Sequence, residues 1–349
     1  MIAEKPKIYV TRNAYGREDG GTPWNYMSPA NIEKLNRFSC PIIEDSGEKP
    51  VSEDELIEKL SGVRAILQLN GGGGEEITER VLRAAGAVEV VSLAHSAWQG
   101  PLWAAAAKCG IKTVEGSNAI DKAVAEWTVG AAVMGQRHLI EAGRSLKEEG
   151  KWQKNWRSAS LLYGSTAGLI GLGRIGRLVS RYLKTLGAEI IAYDKYFDQA
   201  KAAELGIRLV GLDELLKTAD VVSLHLPVTP ETTGILGRRE FALIKDNATF
   251  INSARAQLYD ADALVEELRK ERFSAFFDVY PDEGNMSKNG NVNREHPFYE
   301  GVHDLANVYM SSHIAGTNDV MYELAGAETI ETLRLYFEGK GLRDWRTLQ

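Results

Sequence analysis

Residues 166–194, TAGLIGLGRIGRLVSRYLKTLGAEIIAYD, constrain this chain more than any other stretch, because they read as strand, glycine turn, helix and strand in one run. Residues 167–170 suit a buried parallel strand, and Gly171, Gly173 and Gly176 follow in G-x-G-x-x-G spacing. In such a unit the first glycine permits a tight turn. The second removes a side chain that would hold the backbone away from a pyrophosphate, and the third lets the helix pack closely on the strand. The pyrophosphate then rests on free N–H groups at the positive end of the helix. Leu178, Val179, Tyr182, Leu183 and Leu186 form an apolar stripe, Gly187 suits the helix exit, and a returning strand ends in Asp194. A carboxylate about twenty residues past the glycines can accept from both ribose hydroxyls and repels a 2′-phosphate, which favours NAD over NADP.

A chain of 349 residues is long for one core, so two domains are expected. The net charge of −7 argues against nucleic acid or an anionic membrane as partner. No apolar run reaches spanning length and MIAEKPKIYV lacks signal-peptide architecture, so a cytoplasmic location is expected. Cys40 and Cys109 have no metal-ligand spacing around them, and no metal is expected.

Before the glycine turn, residues 7–10 read as a strand and 11–29 as a long loop carrying Trp24 and Tyr26. Helices at 29–38, 52–60 (capped by Ser52, with Glu55 three residues on), 77–85 and 101–108 alternate with strands at 65–69, 89–93 and 111–114. A single long helix is expected over 119–142. The runs NGGGG, with Asn70, Gly71 and Gly72, and HSAW, with His95 and Ser96, follow strand ends, where ligands of open α/β sheets sit. After Asp194, strands are expected near 207–210, 221–226, 249–252, 274–279 and 307–311. Five or six parallel strands make a doubly wound sheet, residues 282–300 read as a polar exposed excursion, and 317–339 as a long closing helix.

Arg255 in INSAR, Glu283 in FFDVYPDE and His313 in SSHIAG each follow a strand of this sheet, so all three project from one edge. Hydride transfer to a carbonyl carbon leaves negative charge on oxygen, and a histidine titrates where it can supply the proton. A carboxylate on the other ring nitrogen fixes the tautomer and favours the imidazolium. An arginine fork can hold a substrate carboxylate and polarise the adjacent carbonyl. His225, at another strand end, is expected to line the adenine side and take no part in chemistry.

From these motifs the chain resembles the D-isomer-specific 2-hydroxyacid dehydrogenases, through KAVAEWTVG, GLIGLGRIG, SLHLPVTPETTGIL, INSARAQLYDADAL, FFDVYPDE and SSHIAG. The resemblance implies Arg255, Glu283 and His313 as catalytic residues. It implies cofactor contacts at Arg174 and Ile175 (pyrophosphate), Asp194 (ribose), His225, Leu226, Pro227 and Thr232 (adenosine half), and Ser253, Ala254 and Asp278 (nicotinamide); Gly316, closing the SSHIAG motif, joins these cofactor candidates. It further implies a Rossmann cofactor domain over 118–317, a discontinuous, flavodoxin-like α/β substrate domain from 1–117 and 318–349, and a homodimer built on the cofactor domain.

Four features depart from the family pattern: Ala256 where glycine is usual, Gly284 where proline is usual, a longer segment between Glu283 and His313, and LAHSAW in place of a glycine-rich substrate turn. The glycine-rich and aromatic loops suggest a bulkier, more polar acid, such as a sugar-derived one. The expected activity is therefore NAD-dependent interconversion of a 2-hydroxy acid and its 2-oxo acid, with Arg255 as clamp, also counted among the substrate contacts, His313 as acid/base and Glu283 tuning it. Domain closure about hinges near Ser117 and Ser312 would exclude water. The rival is an NAD-sensing binding protein on the same fold, like corepressors that use the dinucleotide to control association. A methyltransferase reading leaves the three strand-end residues unexplained.

Overall fold

Short polar side chains start several helices of this chain. Ser52, Thr78 and Asn318 accept from the N–H of Glu55, Val81 and Met321, and begin the helices Glu53–Lys59, Glu79–Ala85 and Asp319–Phe337. In the computed structural model the described residues are 4–11, 26–44, 51–69, 74, 76–94, 100–152, 159–288 and 290–343. They form two units, one from residues 1–121 and 317–349, the other from 122–316.

The first unit has a parallel five-stranded sheet in the order β2-β1-β3-β4-β5, with β1 Lys7–Val10, β2 Cys40–Ile43, β3 Val63–Gln68, β4 Val90–Leu93 and β5 Lys112–Glu115. Strand β2 was not expected from the sequence; Pro41 sits in its middle, which a parallel sheet accepts here because β2 is an edge. Tyr9, Ile66 and Val91 pack with Leu56, Leu82 and Leu102 in one core of this unit.

The second unit is a doubly wound sheet of seven parallel strands in the order β14-β11-β10-β9-β6-β7-β8. These are β6 Thr166–Ile170, β7 Glu189–Tyr193, β8 Arg208–Leu209, β9 Val221–Leu224, β10 Thr249–Asn252, β11 Ser274–Phe277 and, after the short hairpin β12 Ser287–Lys288 and β13 Asn291–Val292, β14 Val308–Met310. Helices cover both faces, so β6, β9, β10 and β11 bury successive side chains in alternate cores. Phe250 and Phe277 join Leu215, Phe241 and Leu264 on one side, while Ile251 and Phe276 join Val179, Leu183 and Ala132 on the other. The order reverses between β6 and β9, whose C-terminal ends therefore border the crevice where ligands of such sheets bind.

Three expectations are corrected. The single helix over 119–142 is two, Ala119–Arg137 and Leu139–Lys147, broken where His138 takes a left-handed backbone with φ of 49°. Residues 282–300 are more than an exposed excursion: Met286, His296 and Phe298 are buried, and Phe298 meets the ring of Phe277 edge-on with centroids 5.7 Å apart. Leu186 leaves the apolar stripe of its helix; as the C-cap of Arg174–Thr185 it lies past the last buried turn and is 42% exposed.

Candidate functional site

The glycine turn is built as its spacing demands. Gly171 has φ of +106°, and a Cβ there would lie 2.7 Å from the carbonyl oxygen of His225. A Cβ on Gly176 would lie 2.2 Å from the carbonyl oxygen of Gly171, so the helix rests directly on the turn. Gly173 differs: it is the N-cap of Arg174–Thr185 with ordinary φ of −64°, and a Cβ on it would meet nothing within 4 Å. The space left there faces the first-turn N–H groups of Arg174 and Ile175, the donors a pyrophosphate needs. The residues present thus fit a dinucleotide.

Asp194 follows β7. Its Oδ1 accepts from the N–H of Tyr196 (2.9 Å) and Phe197 (3.0 Å), and its Oδ2 from the N–H of Leu172 at 2.8 Å inside the glycine turn. Three of four acceptor positions are taken by backbone, leaving one on Oδ2. After β9, His225 is half-buried with its Nε2 enclosed and without a partner, and desolvation pulls its pKa down to about 4, so the ring is neutral at physiological pH. Leu226 packs on the core beside it. The Thr232 hydroxyl donates to the Pro227 carbonyl (2.6 Å) and accepts from the Thr229 N–H (2.8 Å), which ties this turn together.

At the other end of the sheet edge, Asn252 ends β10 fully buried. Its amide accepts from the N–H of Ala254 (2.9 Å) and donates to the carbonyl of Arg255 (3.1 Å), shaping the turn that carries Ser253, Ala254 and Arg255. Ser253 shares a hydroxyl contact of 3.2 Å with Thr128. Arg255 is exposed, and its Nη1 donates to the carbonyl of Ala254 at 2.6 Å.

Glu283 opens the short helix Glu283–Met286, and its Oε2 lies 2.9 Å from Nδ1 of His313, 30 positions along the chain. Its other oxygen accepts from the N–H of Tyr280 at 2.9 Å. Burial pushes the Glu283 carboxyl up, but the hydrogen bonds from His313 and the Tyr280 N–H, with the charges of His313 and Arg255, bring it below the usual range. The hydrogen bond to Glu283 raises His313 above an ordinary histidine; burial and the Arg255 charge oppose this without reversing it. The imidazolium is therefore favoured, and with Nδ1 engaged, Nε2 is left for another partner.

His313 has φ of 57°, a conformation costing about 1–3 kcal/mol that persists only where neighbours over-determine it. Asp278 supplies that constraint. Buried at the end of β11, it accepts from the Ser311 hydroxyl and, at 2.8 Å each, from the N–H groups of Ile314 and Ala315, on both sides of the histidine. Gly316 closes the same turn. Tyr280 adds a second tie, since its hydroxyl donates to the Ser311 carbonyl at 2.5 Å while its N–H holds Glu283.

The structure thus brings Glu283 and His313 together, with Arg255 near enough for its charge to act on both. Asn70, Gly71, Gly72, His95 and Ser96 lie outside the described residues, as do residues 12–25 of the aromatic loop. The sequence reading passed over Asn252 and Tyr280. An asparagine between an apolar strand and a turn is a readable signal for the first; nothing local marks the second.

Residues 129–315 match the NAD-binding domain of the D-isomer specific 2-hydroxyacid dehydrogenases. The chain is 32% identical over 314 residues to D-3-phosphoglycerate dehydrogenase of Methanocaldococcus jannaschii, covering 88% of this chain and 57% of that one. To the enzyme of that name from Mycobacterium tuberculosis it is 31% identical over 269 residues, covering 77% of this chain and 48% of the relative. The chain therefore spans about half the length of these curated relatives. A solved structure of a D-isomer specific 2-hydroxyacid dehydrogenase from Lactobacillus delbrueckii ssp. bulgaricus, in its NAD complex, shares the fold with a TM-score of 0.77 at 21% identity, over 98% of this chain and 100% of that one.

Proposed function

Because this chain belongs to the D-isomer specific 2-hydroxyacid dehydrogenase family and carries its NAD-binding domain, we propose that it interconverts a D-2-hydroxy acid and the corresponding 2-oxo acid. NAD, when bound, accepts or supplies the hydride. His313 Nε2 gives its proton to the carbonyl oxygen in reduction and takes the hydroxyl proton in oxidation. Glu283 keeps the ring oriented through Nδ1 and supports the protonated form, and Arg255 pairs with the substrate carboxylate. Gly173 and the first-turn N–H groups of Arg174 and Ile175 receive the pyrophosphate, and Asp194 receives a ribose hydroxyl.

The observation that carries this reading is the 2.9 Å pair between Glu283 and His313, held on one sheet edge with the Arg255 charge acting on both. The substrate class follows the family; phosphorylated and sugar-derived acids are the first candidates, the former because the relatives above are named for D-3-phosphoglycerate. A homodimer formed through the NAD-binding unit belongs to the same reading and is checked by light scattering. The central test follows NADH absorbance against a panel of 2-oxo acids, including 3-phosphohydroxypyruvate and unphosphorylated sugar-derived acids. Oxidation of NADH by one of them, lost in His313→Ala with NAD binding retained, is the expected result; no turnover across the panel would count against the assignment.

A further inference from the structure

In the seven-stranded sheet β7 and β9 stand on either side of β6, so the turns that follow them flank the glycine turn. Both turns are fixed by hydrogen bonds between their own side chains and backbone. After β7, Asp194 holds the N–H groups of Tyr196 and Phe197. After β9, Thr232 is tied to Pro227 and Thr229, the Thr233 hydroxyl donates to the Thr229 carbonyl at 2.8 Å, and Glu231 lies inside this knot. Side chains from the two turns meet across the end of β6. Lys195 Nζ lies 3.3 and 3.2 Å from the two Glu231 oxygens, and the Tyr196 hydroxyl donates to Glu231 Oε2 at 2.5 Å. The same ammonium lies 5.5 Å from the centre of the Tyr196 ring.

We infer that Glu231 is a determinant of dinucleotide choice, acting by holding the Lys195 ammonium away from the ribose 2′ position. Lys195 follows directly on the carboxylate that faces the ribose, and a free ammonium there is the group a 2′-phosphate would seek. Asp194 spends most of its acceptor capacity on backbone, so discrimination against the phosphate does not rest on it alone. Glu231 takes the ammonium, and Tyr196 holds Glu231 in place. A phosphate entering here would have to displace a carboxylate of its own sign. An isolated exposed ion pair contributes little to stability, but this one acts by occupying a donor, and both partners are presented from fixed turns.

The inference rests on NAD binding and not on the identity of the acid, so its test reads binding alone. Calorimetry at low ionic strength compares NAD⁺ and NADP⁺ on the wild-type chain, Glu231→Gln, and Glu231→Gln combined with Lys195→Met. In Glu231→Gln, NADP⁺ should bind about tenfold tighter, while the Kd for NAD⁺ stays within about threefold. The gain should fade as salt is raised and vanish in the double variant. An unmoved NADP⁺ affinity, equal changes for both dinucleotides, or a gain that survives Lys195→Met would overturn it. A chain that binds NAD⁺ as expected here yet turns over no 2-oxo acid would sink the substrate reading and leave this one standing.

Discussion

Replacing Gly173 with alanine separates what the glycine turn does for the fold from what it does for the ligand. The backbone there has φ of −64°, open to any residue, and a Cβ would meet nothing within 4 Å. Alanine at an N-cap costs from a few tenths to about 1 kcal/mol against glycine. Its smaller unfolded-state freedom returns about 0.4–1 kcal/mol. Stability should therefore hardly move. The new methyl group stands in the space the pyrophosphate needs, and losing two charge-assisted hydrogen bonds at about 1.5–3 kcal/mol each should weaken NADH binding by at least about 100-fold. Gly176→Ala should behave in the opposite sense, since its Cβ would sit 2.2 Å from a backbone oxygen that cannot move aside. That clash forces the helix off the turn, and overpacking of about 1–3 kcal/mol lowers the melting temperature by roughly 2–12 °C. Thermal denaturation followed by circular dichroism and titration of NADH fluorescence read the two effects. If Gly173→Ala binds NADH within about threefold of wild type, the pyrophosphate does not lie against that residue and the derivation from the cradle is wrong.

Three further outcomes follow from the site. Glu283 holds His313 above the ordinary histidine range, and reduction needs the protonated ring, so wild-type reduction falls only as pH rises through that raised value. In Glu283→Gln the fall should come at lower pH, and the rising limb of oxidation, which needs the neutral ring, should shift to lower pH as well; superimposable profiles would count against the pair. Asp278→Asn turns an NH₂ toward one of three donors now satisfied, a cost of about 1–3 kcal/mol, and should cut kcat/KM about tenfold or more while the pair itself remains. Unchanged turnover would show that the left-handed backbone at His313 holds without the clamp. Arg255→Lys should raise KM for the 2-oxo acid more than it lowers kcat, because an ammonium cannot make the two-pronged contact; equal loss in both would place Arg255 elsewhere in the reaction.

The geometry of the candidate site was legible in the sequence wherever it depends on neighbours along the chain. A glycine turn, the helix N-terminus behind it and the acid at the end of the next strand need only local backbone geometry and a fixed number of residues between them. Parallel strands that each end at the same edge likewise bring Arg255, Glu283 and His313 to one side, whatever the loops between them do. Three features of loops and edges were less legible. The proline in Cys40–Ile43 hid an edge strand, and His138 broke a helix whose composition runs on unbroken. The polar residues around 282–300 masked Met286, His296 and Phe298, which are buried.

What residues 166–194 determined unaided was the dinucleotide and the class of sheet that holds it, because periodicity and spacing dictate them. Only the tertiary structure decided how the histidine is aimed. Asp278 clamps the turn around His313 from 36 positions away, and Tyr280 binds both that turn and Glu283, contacts between groups that no spacing rule relates. The physical reason is that a strained left-handed histidine must be paid for by partners brought in from distant strands, and those partners exist only once the sheet has formed.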